Sequence, residues 1–132
     1  MLIIVIAMVS LHVLSAVFWA GTTFSLARTG GAQVTAFRWP QLGAALTAIL
    51  TGAGLWDLLH ADSFDSMEQV LAIGALCALI AAAVQLGSGI FARSHRMSTE
   101  DSGQPLRDRV AQRAAAGLLA IAVICMAAAR YT

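Results

Sequence analysis

The sequence predicts an all-α integral membrane protein: an antiparallel four-helix bundle with both termini on the outer, periplasmic side. Three observations lead there. Hydrophobic residues make up 59% of the 132 and charged residues only 11%, against about 25% charged in a soluble domain. The apolar residues fall into four long runs separated by polar links, and the arginines are confined to alternate links. A chain of this length holds one such bundle, so residues 1–132 form a single transmembrane domain.

The first run, Leu2–Leu26, carries no charge and exceeds the ~20 residues that cross a hydrocarbon core as a helix. It has no positive leading segment and is longer than the ~7–15 residues of a signal-peptide core, so it reads as a retained helix. Arg28 and Gly30-Gly31 end it. The second helix is expected over about 40–59, with Pro40 in a first turn that tolerates proline. An acidic link, His60 to Ser66, leads to a third helix over about 67–92. Arg93 to Arg109, with Gly103 and Pro105, is the one long polar segment. The fourth helix follows over about 110–129, closed by Arg130-Tyr131-Thr132.

Charge orients these runs. The link after the first carries Arg28 and Arg38, and the link after the third carries Arg93, Arg96, Arg107 and Arg109, with Arg113 just beyond. The link after the second has no basic residue. Short arginine-rich loops stay in the cytoplasm, which puts both termini outside a bacterial inner membrane. The eight basic residues are all arginine. A net charge of +1 argues against a nucleic-acid partner and leaves lipid as the surrounding one. Gly52-Ala53-Gly54, Gly87-Ser88-Gly89 and Ala114 to Gly117 are small-residue faces that let helices approach closely; a homodimer or a place in a larger membrane complex stays open. Cys77 and Cys125 sit inside apolar runs, so no disulfide framework is expected.

One ionisable side chain interrupts the first run. His12 lies roughly 15 Å along the helix at ~1.5 Å per residue, near mid-bilayer, where such a group is a functional-site candidate by default. It shares a face with Met8, Ser15, Ala16 and Trp19. Bundle interiors house cofactors on facing side chains, and histidine is a standard axial ligand of haem iron. His12 is thus the candidate metal ligand, with Trp19 as a wall. The plainer alternative is a histidine that only hydrogen-bonds a neighbouring serine or carbonyl. His60, on the same side but shallower, is a candidate second ligand; His95 lies at the opposite end. Met8 and Met126 are candidate sulfur ligands. Met8 and His12, spaced i, i+4, also form a soft pair suited to Cu(I). Arg130, with Tyr131, is placed to meet a haem propionate at the outer surface. Trp39 and Trp56 fall near helix ends, where interfacial tryptophans collect. The first, third and fourth runs hold no carboxylate away from their ends, unlike the small multidrug exporters with a glutamate in their first helix. No phosphate loop, zinc motif or nucleophile–base set is present.

The segment Leu11-His12-Val13-Leu14-Ser15-Ala16-Val17-Phe18-Trp19-Ala20-Gly21 resembles the first helix of two related groups of small bacterial four-helix membrane proteins. These are the copper-resistance protein D domain and the HemJ-type protoporphyrinogen oxidases, which share a histidine followed seven residues later by Trp-x-Gly. The segment from Thr47 to Trp56, with its Thr51-Gly52 pair, is similar to their second helix. The resemblance spans the first two helices and implies a b-type haem held by His12. For the oxidase group it also implies porphyrinogen oxidation, with an invariant lysine that this chain, having none, lacks.

The expected function is that of a small membrane haem b protein passing electrons within the bilayer, with a quinone or porphyrin-like small molecule as partner. A copper-handling or copper-transport protein is the alternative from another class. A cofactor-free structural subunit of a larger membrane complex is the third.

Overall fold

A computed structural model describes residues 1–29, 34–59, 66–95 and 104–131, with side chains for 1–29, 36–58, 66–88, 106, 107, 109–129 and 131. Four helices account for nearly all of it: α1 (Leu2–Arg28), α2 (Val34–Leu59), α3 (Ser66–His95) and α4 (Gln104–Ala128), the last closed by a 3₁₀ turn, Ala129–Tyr131. Among the described residues, three stretches are long and apolar enough to cross a membrane: α1, Ser66–Ser88 of α3 and Arg109–Ala128 of α4. The sequence led us to expect four. α2 has the length, but Gln41, Thr47, Thr51 and Asp57 dilute its apolar residues.

Two helix starts also differ from expectation, each near a proline. α2 begins at Val34, so Pro40 lies inside the helix and not in its first turn. Proline removes one backbone bond, a loss that membrane helices tolerate when neighbours re-satisfy the freed group. α4 begins at Gln104, six positions before the expected start, and Pro105 occupies its first turn, where the N–H has no partner to lose. α3 continues past the expected end through Arg93 and Ser94 to His95.

Packing is uneven. α1 lies against α2, α3 against α4, and α1 joins the two pairs through α4, while α2 and α3 barely touch. Among the described residues, eight of the eleven buried apolar ones are alanine (45, 48, 81, 82, 115, 116, 122 and 129). Leu14, Val17, Leu46, Leu50, Ile73, Leu76 and Ile124 turn outward. This inverts a soluble core. Where lipid is as apolar as leucine, helices associate through close contact of small residues and hydrogen bonds between them. Trp19 is the one large side chain at the centre, among Ala45, Ala48, Ala81, Ala82, Ala115 and Leu119.

The hydrogen bonds form a buried layer below Trp19. The Thr23 hydroxyl donates to the Trp19 carbonyl at 2.7 Å. It accepts from the Gln41 amide at 2.7 Å and from the Gln85 amide at 3.0 Å. One donor and two lone pairs are then fully used, and α1, α2 and α3 are tied at one point. Gln112 of α4 is also buried, but its Oε1 has no partner. A buried acceptor left unpaired costs about 1–3 kcal/mol. Gln112→Met should therefore raise stability by about 1 kcal/mol in a denaturant titration of the detergent-solubilised protein; a loss of similar size would show that the amide is bonded.

Candidate cofactor cavity

The imidazole of His12 is held from one side. Its Nδ1 lies 2.9 Å from the Ala48 carbonyl oxygen and 3.2 Å from the Thr51 hydroxyl. A carbonyl only accepts, so Nδ1 carries the proton and donates it. The Thr51 hydroxyl sends its own hydrogen to the Thr47 carbonyl at 2.7 Å, so it too can only accept from Nδ1. The tautomer is thereby fixed. In the neutral ring Nε2 is then the nitrogen with the lone pair, and it has no hydrogen-bond partner among the described residues.

Local sequence explains why α2 receives the ring so closely. A Cβ at Gly52 would stand 3.0 Å from His12 Cε1 and 3.4 Å from Nδ1, tighter than most carbon contacts. Glycine therefore lets the ring reach the Ala48 carbonyl, one turn away on α2. Histidines that bind metals through one nitrogen typically donate the other N–H to a carbonyl or carboxylate, which orients the ring and raises its basicity. His12 makes the carbonyl contact of that arrangement through Nδ1, a contact that a structural histidine in a membrane bundle makes as well.

Beside the ring lies a cavity of about 500 Å³ whose wall draws on all four helices, among them His12, Trp19, Trp56, Ala75, Leu119 and Met126. Alanines at 16, 20, 48, 53, 75, 78 and 122 make its volume. The wall is almost wholly apolar, and the size falls in the range of small-molecule and cofactor sites. Trp19 is a fixed part of the wall, since its indole N–H donates to Gln85 Oε1 at 2.8 Å. The buried polar layer thus anchors the inner end of the cavity.

Of the residues singled out in the sequence, the structure brings His12, Trp19 and Met126 into this one wall, together with Trp56, which the sequence alone assigns to the membrane interface. Met8 stands elsewhere: its methyl carbon would be 2.6 Å from a Cβ at Gly54, on the seam between α1 and α2, and it is not part of the wall. His60 lies outside the described residues. Arg130 falls in the 3₁₀ turn, with its side chain outside the described set. Among the described residues, no three His, Cys, Asp or Glu side chains gather as a metal site, and both cysteines are free thiols. The contacts of His12 are of the kind the plainer alternative expects, a carbonyl and a hydroxyl of a neighbouring helix; the sequence does not say which carbonyl, because Ala48 contributes only its backbone. Thr51-Gly52 was the available signal, one polar and one missing side chain at the depth of the histidine.

Fold and cavity together define a class: a helical protein with membrane-length apolar helices around a largely apolar cavity that His12 lines. In comparisons with protein families, curated proteins and solved structures, nothing matches the chain.

Proposed function

We propose that this chain is a small integral membrane haem b protein that transfers electrons within the bilayer. The observation that carries the reading is His12, with Nδ1–H committed to the Ala48 carbonyl, no hydrogen-bond partner at Nε2 among the described residues, and its side chain in the wall of an apolar cavity of cofactor size. The residues present fit the group. His12 Nε2 would hold the iron; Trp19, Trp56 and the surrounding alanines would cover the faces of the macrocycle and keep water from it. Arg130, beside the exposed Tyr131, is our candidate for pairing a propionate. A bound haem b supplies one-electron exchange. The apolar surroundings and the axial ligands tune its potential.

In this reading all four helices span, as an antiparallel bundle, and both termini face the periplasmic side of a bacterial inner membrane, as the arginine-bearing links require. The redox partner is a lipophilic molecule, a quinone or a porphyrin-like compound, reaching the cavity from the bilayer. Because the chain has no lysine, we assign electron transfer in preference to porphyrinogen oxidation. Protein purified from haem-replete cells should show a Soret band that His12→Ala abolishes while the helical circular dichroism persists. A colourless wild type from such cells would end the proposal.

A further inference from the structure

Resting on the haem reading, we infer that Met126 is the second axial ligand and that the site is a histidine–methionine one. The cavity wall makes the selection. Apart from His12 Nε2, it contains aliphatic side chains, two indoles that only donate, and one thioether, Met126. Among the described residues, Met126 Sδ is thus the one other side-chain atom of the wall able to bind a metal.

Depth agrees. Trp19 and Thr23 of α1 both reach Gln85 of α3, so His12, seven to eleven residues further out, stands at the depth of α3 residues 74–78. At that end of α3, the Cβ position of Gly74 faces Ala122 and Cys125 of α4. His12 and the segment of α4 just before Met126 therefore share a level. A helical side chain leans toward the N-terminus of its own helix, which for Met126 is back toward Ala122. The α4 residues level with α3 74–78 are those around Ala122 and before it. Met126 thus lies about 3–7 residues, ~5–10 Å, beyond the level of His12, and its leaning thioether reaches back across part of that offset. Methionine is long, unbranched and adaptable enough for this reach. Met8, the other methionine weighed as a ligand, is occupied against Gly54.

If His12 and Met126 both held the iron, it would have no open position for an exogenous ligand and would supply electron exchange alone. Methionine in place of a second histidine also raises the reduction potential. In the haem-loaded full chain, Met126→Leu should keep a Soret band but convert the low-spin spectrum to a high-spin one. The ferrous variant should bind carbon monoxide readily, where the wild type resists it. Met126→His should restore the low-spin spectrum at a lower midpoint potential, and Met8→Leu should change none of these readouts. A Met126→Leu spectrum that stays low-spin and closed to carbon monoxide would overturn the ligand assignment and leave the haem reading standing. If Met126→Leu instead purifies without haem, Met126→His decides: recovered low-spin haem supports the ligand role, and its absence refutes it. A wild type lacking any Soret band overturns both.

Discussion

Thr23→Val lowers the stability of the helix assembly by about 2–4 kcal/mol, because two buried amides lose their acceptor. Valine has nearly the shape of threonine, so packing hardly changes. Thr23 is fully buried, and its oxygen is the shared partner of Gln41 and Gln85. Each buried donor left unpaired costs about 1–3 kcal/mol. Hydrogen bonds between membrane helices measure lower, at about 0.6–2 kcal/mol, because the unfolded chain finds other partners in lipid. The lower half of the range is therefore expected. Thr22→Val is the control: Thr22 bonds only carbonyls of its own helix, and its loss should stay within about 0.5 kcal/mol. Unfolding titrations in detergent measure both. Adding Gln85→Leu should make the cost of Thr23→Val smaller than in the wild type, the sign of a shared network. Independent, additive losses would show that the layer is not a network.

On the haem reading proposed above, Gly52→Val should weaken haem binding about 10–100-fold without unfolding the protein. Its Cβ enters at 3.0 Å from His12 Cε1, and the added methyls leave the ring no retreat along α2. The imidazole must rotate away from the Ala48 carbonyl, which releases Nδ1–H and takes Nε2 out of its fixed orientation. Losing such a supporting contact typically weakens metal binding about 10–100-fold. Gly52→Ala, whose single methyl needs a shift of only tenths of an ångström, should fall at the mild end of that range. Titration of haemin into cofactor-depleted protein reads the affinity, and Trp19 fluorescence reports that the wall is intact. Equal affinity in Gly52→Val and wild type would mean that the ring is not positioned from α2.

How much of this was visible in the letters differs between elements. His12 stands out because it is the one ionisable group in an uncharged run, and Trp19 follows from it by helical spacing. The carbonyl that orients His12 has no letter of its own; any residue at position 48 would present it, and only folding puts it there. Proline was the misleading mark, since the mark for a helix start at Pro40 belongs to a helix interior, while Pro105 does open α4. Thr23, Gln41 and Gln85 are ordinary singly, and their meaning lies in an alignment across three helices that no local pattern encodes. Gly52-Ala53-Gly54 read as a face for close packing. That was half of its role, for Gly52 admits the imidazole and Ala53 helps to leave the cavity open.

The most direct test of the account is chemical replacement of the one side chain it depends on. His12→Gly protein, supplied with haemin and free imidazole, should regain the wild-type Soret band, because the added base fills the vacated space and meets the iron from the same side. If His12→Gly binds haemin as the wild type does with no imidazole present, or if imidazole restores nothing to a protein whose wild type is coloured, iron ligation by His12 is wrong.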